Sequence, residues 1–220
     1  MNRFASGSSY ATKMRAAAFF LSTEFQETGY LVYKFYKAAF GNLPGAPVPI
    51  GFTEFLRDTQ EIGKGVQVGA PNWEALLEAN KQNYALAFVQ TNQFQNNFQG
   101  LSATAFVNKL NSNANNALSP AESAELVALL GSTPADNSKR AQVLRRVAED
   151  KTLHDAEFNK AFVLMQYFGY LRRSPNSAPN TDYSGYNFWL NKLNTFGNYV
   201  NAEMVKAFLV SAEYRQRFGP

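Results

Sequence analysis

Cysteine is absent from the 220-residue chain, and histidine occurs once, as His154. Composition therefore excludes a disulfide framework, a thiolate metal site and a cysteine nucleophile. Zinc sites usually need several His or Cys ligands, so no zinc site of an ordinary kind is expected. A Ser-His-Asp triad would have to recruit His154, and no Gly-x-Ser-x-Gly elbow accompanies it. We interpret His154 as a solvated residue or a helix cap in a polar turn.

Long hydrophobic runs and concentrated charge are also missing. No apolar run approaches the ~20 residues of a transmembrane helix, which predicts no membrane span. Charged residues make up 17% of the chain and the net charge is +4. The basic residues are scattered in short groups, whereas nucleic-acid binders usually carry a basic stripe or a recognisable motif. We therefore expect no nucleic-acid partner. No phosphate-binding loop is present either, because Gly63-Lys64-Gly65 lacks the spacing of such a loop.

Aromatic and amide side chains are abundant. Aromatic residues make up 15% of the chain, with 19 Phe and 11 Tyr, and Asn occurs 22 times. A surface rich in amides and poor in charge repels its own copies weakly, which favours close packing between proteins. A compositional bias of the whole genome explains the same numbers equally well.

Apolar residues recur at three and four along most of the chain, which predicts an all-α fold with Pro/Gly loops. The sequence Ser119-Pro120-Ala121-Glu122 predicts a helix start, with Ser at the cap, Pro in the first turn and Glu three residues after the cap. The alternation of Val66 and Val68 permits a very short strand, although a loop is favoured. The predicted helices are 73–94, 103–110, 121–130, 139–148, 157–173 and 200–218, and the predicted loops are 41–49, 63–71, 132–137 and 174–183.

Internal similarity indicates tandem multi-helix repeat units. One eight-residue pattern, Ala-Phe with a later small or polar residue and a final aromatic, occurs at 18–25, 87–94 and 207–214. Two further similarities pair 30–40 with 158–171 and 106–111 with 188–194. We predict four segments from these patterns. They are the closing part of an incomplete first unit (1–29), a second unit (30–100), a divergent unit (101–157) and a complete C-terminal unit (158–220). An incomplete first unit predicts either a fragment of a longer exported chain or a unit completed elsewhere.

The last sixty residues resemble a known bacterial repeat in three stretches: Tyr167 to Pro175, Gly185 to Asn194, and Val205 to Phe218. They are similar to the domain-of-unknown-function family 4214, which carries a Leu-Arg-x-x-Pro helix end, a Gly-x-x-x-Trp-Leu helix and a closing Phe-x-x-Ser-x-Glu-Phe/Tyr helix. The start, 17–36, also matches, and the middle diverges. The whole resembles multi-copy acidobacterial members.

The resemblance implies an all-helical fold distantly similar to phycobilisome linker domains. It also implies an extracellular or cell-surface location, because members often occur in secreted or surface proteins, and it brings no established activity or catalytic residues. Location and role taken from it are analogy.

Pairs of carboxylates at helical spacing raise the question of acid–base catalysis, since two acids can hydrolyse glycosides. Polar neighbours surround each pair, so we interpret all of them as solvated helix faces and predict no enzyme. The pairs are Glu24 with Glu27, Glu54 with Asp58, Glu74 with Glu78, and Glu122 with Glu125.

The segment 111–122 has the layout of an EF-hand calcium loop, with oxygen side chains at alternating positions and Glu at the twelfth. Asn111 stands at the first position, where Asp is usual, and Asn113 and Asn115 follow it. Only Glu122 supplies a negative charge, so a divalent ion would be poorly neutralised. We favour a loop held by amide hydrogen bonds without metal; weak calcium loading is the alternative, and no other cofactor is predicted.

Aromatic side chains are the remaining candidates for contacts. Flat rings beside amides can bind sugars, but they serve more often as core or interface anchors. We favour a non-catalytic extracellular structural protein that assembles with itself as a filament, tube or surface layer. A glycan-binding or protein-binding surface module is the alternative, and an enzyme is the least favoured. The candidate contacts are Tyr30, Tyr33, Trp73, Tyr183, Tyr186 and Trp189.

Overall fold

A computed structural model describes residues 25–198, 200 and 202–218. This part of the chain is helical and contains no strand, which confirms the all-α class. Two π-helical turns, Phe25–Gly29 and Tyr167–Leu171, accompany the α-helices. The α-helices are α1 (Tyr30–Phe40), α2 (Phe52–Gly63), α3 (Trp73–Gln90), α4 (Asn92–Phe98), α5 (Ala103–Asn113), α6 (Pro120–Leu130), α7 (Asn137–Ala148), α8 (Lys151–Gln166), α9 (Ser184–Phe196), α10 (Met204–Leu209) and α11 (Ala212–Phe218).

The helix start predicted at Ser119 is found in the structure, whereas two breaks inside predicted helices were not expected. Ser119 caps α6: its hydroxyl accepts from the Glu122 amide, and the Glu122 carboxylate accepts from the Ser119 amide. The predicted helix 73–94 is broken at Thr91, which ends α3 and caps α4. The predicted helix 200–218 is likewise divided into α10 and α11. Local hydroxyl capping explains both breaks, because the apolar spacing continues across them.

The chain divides into two compact units. We call Thr28–Glu157 the N-terminal unit, and the described residues of 158–218 the C-terminal unit, to which 25–27 also belong. Helix α8 contributes 151–157 to the first and 158–166 to the second. The finer division into four segments remains a prediction, and the copy of the repeated pattern at 18–25 lies almost wholly outside the described residues.

Helix α1 occupies the centre of the N-terminal unit, with every residue from Tyr30 to Ala39 buried. It packs against α2, α5 and α7, and α7 in turn packs against α3. The α3–α7 contact carries an ion pair in which the Arg145 guanidinium donates to both oxygens of Glu78, at 2.7 Å each. These bonds lower the pKa of Glu78 to about 2.

Two carboxylates lie inside the N-terminal unit and accept hydrogen bonds from tyrosines. Asp58 accepts from Tyr36 (2.8 Å) and Tyr84 (2.9 Å), while Glu157 accepts from Tyr33 (2.7 Å). Asp58 is buried, so its interpretation as part of a solvated helix face is wrong. The polar residues next to Asp58 in the sequence indicated a solvated side chain. In the fold, the hydroxyls of two tyrosines take the place of water as its hydrogen-bond donors.

The C-terminal unit is built on the buried second half of α8 and the π-helical turn that follows it. Residues 161–168 are all buried. Helices α10 and α11 pack against the π-helical turn, and Tyr186 of α9 donates to the Lys160 carbonyl. No helix of the described residues is long and apolar enough to cross a membrane.

Candidate interaction surface

Exposed aromatic side chains are concentrated in the C-terminal unit. Phe188 and Phe196 of α9 are 58% and 49% exposed, and Phe218 of α11 is 54% exposed. Within Thr28–Glu157, all of which the structure describes, every aromatic side chain is buried or half-buried. Exposed apolar side chains that group on one part of a protein, in contrast to isolated ones, often mark an interaction site. The C-terminal unit therefore carries the candidate interaction surface.

The exposed rings at the two ends of this surface are joined by a continuous series of ring contacts, which we call the aromatic row. Successive ring centroids lie 5.0, 5.8, 6.5, 5.9 and 5.0 Å apart, within the range of favourable aromatic pairs. The two end rings are exposed, Phe208 is buried, and the other rings of the row are half-buried. In order, the row contains Phe188, Trp189, Phe208, Tyr170, Tyr214 and Phe218.

A bend that occurs in both units positions the Phe218 end of the row. Ser211 caps α11: its hydroxyl donates to the Phe208 carbonyl (2.8 Å) and accepts from the Tyr214 amide (3.1 Å). Thr91 caps α4 in the same way, donating to the Phe88 carbonyl (2.7 Å) and accepting from the Phe94 amide (3.4 Å). The two described copies of the repeated eight-residue pattern therefore form the same helix–cap–helix bend.

The ring seven residues after each capping hydroxyl, Phe98 after Thr91 and Phe218 after Ser211, has opposite surroundings in the two units. Phe98 is fully buried, in contact with the ring of Phe106 at 5.0 Å and under the Lys109 ammonium at 5.1 Å. Phe218 holds the equivalent position but is 54% exposed. Helix α5 supplies the cover in the N-terminal unit, and no described helix supplies it for Phe218. The position suits a packed ring, yet in the C-terminal unit it faces solvent.

Helix α11 is held in place by the buried guanidinium of Arg173. Arg173 donates to both carboxylate oxygens of Glu213 (2.7 and 3.0 Å), to the Asn180 side chain (2.7 Å) and to carbonyls of the 174–177 loop. The hydrogen bonds that Glu213 itself accepts from Arg173 hold the pKa of Glu213 below its usual range. Because Glu213 and Phe218 share α11, the ion pair fixes the exposed end of the aromatic row.

The surface around the row is positively charged. Arg215 is exposed and pairs with no described carboxylate, and Arg217 makes only a 3.4 Å contact with Glu213. Residues 158–218 contain 7 Lys and Arg against 3 Asp and Glu, a net charge of +4. Thr28–Glu157 contains 11 against 12, a net charge of −1. Most of the chain's excess positive charge therefore belongs to the C-terminal unit, which also carries the exposed aromatic side chains.

The predicted aromatic contacts fare differently. Tyr30, Tyr33 and Tyr186 are fully buried, so their expected exposure to a partner is corrected. Their hydroxyls reach internal acceptors: the His154 carbonyl for Tyr30, Glu157 for Tyr33 and the Lys160 carbonyl for Tyr186. The sequence could not reveal this, because a buried tyrosine with an internal acceptor and a surface tyrosine recur at the same helical spacing. The half-exposed residues Trp73, Tyr183 and Trp189 remain predicted contacts, and only Trp189 belongs to the aromatic row.

The side chains of the calcium-like loop point to separate partners. The Asn111 side-chain oxygen accepts from the Leu118 amide, and Asn113 donates to the Ala39 carbonyl. Asn115 donates to Glu157, and Glu122 forms the cap at Ser119. Asn115 and Asn116 have φ near +60°, a conformation that Asn tolerates well. Across the described residues, no group of three or more His, Cys, Asp or Glu converges as metal ligands would.

The remaining titratable side chains singled out above contact neighbours within the fold or lie at its surface. Burial and the neighbouring Asp58 raise the pKa of Tyr36 and of Tyr84 above the usual value for tyrosine. The ring of His154 lies 5.0 Å from the ring of Tyr30 and 3.2 Å from the Asp155 carboxylate. Of the predicted acids other than Asp58, three are exposed (Glu54, Glu74 and Glu125) and three are half-buried (Glu27, Glu78 and Glu122), while Glu24 lies outside the described residues.

Sequence reasoning missed the three exposed phenylalanines as surface residues, because Phe at helical spacing is usually core. One signal was present for Phe188 and Phe196, which lie eight residues apart on one side of α9 with the cationic Lys192 midway between them.

Comparison with known proteins adds no functional assignment: no family model matches the chain, and no curated protein or solved structure is significantly similar to it.

Proposed function

We propose that this chain is a non-catalytic structural protein that associates with further copies of itself through the exposed aromatic side chains of its C-terminal unit. The observation that carries the proposal is the exposure of Phe188, Phe196 and Phe218 to about half or more of their surface. Burial of apolar area is worth roughly 25 cal/mol per Å². Covering three such rings supplies a substantial part of the free energy of association.

The location of these rings indicates that their exposure belongs to an interface and is not the result of a loosely packed core. Phe188 and Phe218 end a row of contacting rings, and α11 is fixed by the Arg173–Glu213 pair. A rigid aromatic surface loses little conformational entropy on binding. We propose an extracellular or surface location on the family resemblance alone.

Glycan binding is the second candidate, favoured by the surroundings of Trp189. Its ring is half-exposed, the Lys192 ammonium lies 5.4 Å from it, and the amide of Asn191 is exposed on the same helix. A flat ring beside amide and ammonium donors suits a sugar face. A glycan array distinguishes this role, because self-association alone gives no saturable signal there.

The test is sedimentation velocity of the purified chain across a hundredfold range of concentration. We expect the weight-average mass to rise with concentration, and the triple variant Phe188→Ser, Phe196→Ser, Phe218→Ser to remain monomeric. A matched control replaces exposed aliphatic residues of the N-terminal unit, Leu43→Ser and Leu86→Ser, and should associate like the parent chain. A parent chain that stays monomeric throughout contradicts the proposal.

A further inference from the structure

The N-terminal unit carries an apolar patch that differs in charge from the surface around Phe218. Val68 and Leu76 are 49% and 41% exposed, and Leu76 lies beside the turn at Gly65. We call Val68, Leu76 and the exposed acids Glu61 and Glu74, all of which lie in the segment 61–76, the acidic patch. Neither acid makes an ion pair with a described residue, and Lys64 is the basic residue between them in the chain.

The position of the acids follows from the packing of α2 against α3. The Asn80 side chain of α3 donates to the carbonyls of Ile62 and Lys64, at 2.9 Å each. These bonds hold the end of α2 against the first turns of α3. Glu61 lies in the last turn of α2 and Glu74 in the first turn of α3, so both lie at the same end of the pair.

The surface around Phe218 has the complementary chemistry. Phe218 is an exposed ring flanked on the same short helix by the guanidinium groups of Arg215 and Arg217. An apolar centre with basic neighbours matches an apolar centre with acidic neighbours. Such pairing also disfavours contact between two identical faces, because the like charges would repel.

We propose that the Phe218 face of one copy docks onto the acidic patch of a second copy, with Arg215 and Arg217 opposite Glu61 and Glu74. This inference rests on the proposed self-association and names the two surfaces that meet. In this docking, Phe218 is covered by the apolar side chains of Leu76 on α3 and Val68 in the preceding loop of the second copy, as α5 covers Phe98 in the N-terminal unit.

Head-to-tail contact has a geometric consequence. Each copy keeps one unused Phe218 face and one unused acidic patch after pairing, so addition continues at both ends. Contacts of this heterologous kind give rings when the rotation closes and open filaments when it does not. An isologous pair formed by two Phe218 faces would instead stop at a dimer.

Charge reversal tests the pairing directly. One variant carries Arg215→Glu and Arg217→Glu, and the other carries Glu61→Lys and Glu74→Lys. Each variant alone presents like charges on both surfaces, so we expect its self-association to weaken by about tenfold or more in Kd. An equimolar mixture restores opposite charges at every contact, so we expect association to return, as alternating copies.

The controls separate a failed inference from a failed fold or a failed function. Arg217 contacts Glu213, so the single variant Arg215→Glu provides a reversal that leaves this contact intact. Glu54→Lys reverses an exposed acid elsewhere on α2 and should leave association unchanged. Circular dichroism establishes that each variant is folded.

The outcomes are distinguishable by sedimentation velocity. If the parent chain associates and the folded reversed variants associate equally well alone, this docking is overturned while self-association stands. The same holds if the mixture fails to recover. If the parent chain is monomeric at every concentration, the proposed function fails together with the docking.

Discussion

The guanidinium of Arg173 and the carboxylate of Glu213 form a bidentate pair, with Nε to Oε1 at 2.7 Å and the second nitrogen to Oε2 at 3.0 Å. The Arg173 side chain is almost fully buried and Glu213 is largely covered. The pair therefore joins the segment after α8 to the last described helix. Its stability should depend on pH in a direction that the structure fixes.

The stability of the C-terminal unit should fall in acid because of Glu213. The folded-state pKa of Glu213 is lowered, chiefly by its hydrogen bond with Arg173. The stabilisation is fully present above the pKa of an unfolded glutamate, about 4.3, and is lost as the pH falls through the folded-state pKa. In Glu213→Gln, the free energy of unfolding should be lower at pH 7 and should change less between pH 7 and pH 3.

Urea denaturation followed by tryptophan fluorescence makes this measurement, because each unit contains one of the chain's two tryptophans. Trp73→Phe leaves Trp189 as the reporter of the C-terminal unit. Glu203→Gln is a matched control, since its carboxylate is exposed and lies 3.6 Å from Lys206. Equal pH dependence in Glu213→Gln and its parent would contradict the assigned cause.

Truncating the two equivalent rings Phe98 and Phe218 should have unequal effects on stability. Phe98→Ala removes a fully buried ring between α4 and α5, which typically costs about 3–5 kcal/mol. Phe218→Ala removes an exposed ring, and substitutions of that kind usually lie within about 0.5 kcal/mol. Urea denaturation at low protein concentration, where self-association is absent, measures both. Comparable losses would show that Phe218 is covered within a single chain.

Calcium should not stabilise the loop 111–122. Asn111, Asn113 and Asn115 already use their amides in internal hydrogen bonds, and binding a cation would break several of them. We expect the melting temperature to be the same in 1 mM calcium and in 1 mM magnesium. A saturable rise with calcium that disappears in Glu122→Gln would overturn this expectation.

Local signals in the sequence predicted the helical fold well, because capping and spacing act over a few residues. The Ser119 start is an example, since both of its reciprocal hydrogen bonds lie within four residues. The break at Thr91 was missed although its hydroxyl was visible. Apolar spacing runs through Thr91 unchanged, and the bend depends on whether that hydroxyl caps a new helix or faces solvent.

Burial was less predictable than helix content, because it depends on contacts between residues distant in the chain. Tyr33 meets Glu157 across 124 positions, and Asp58 meets Tyr84 across 26. Nothing in the local sequence of Tyr33 distinguishes it from a surface tyrosine. The exposure of Phe218 was equally hidden, since its equivalent Phe98 has the same spacing and a helix to cover it.

The hydroxyls of Thr91 and Ser211 each cap the end of one helix and the beginning of the next, so a single side chain fixes the connection between two helices. A connection this short leaves almost no slack, and the direction of the outgoing helix is set within one turn. Replacing Ser211 by alanine would remove both hydrogen bonds, and we expect α10 and α11 then to form one continuous helix. The ring of Phe218 would then point elsewhere, although no atom of that ring had been altered.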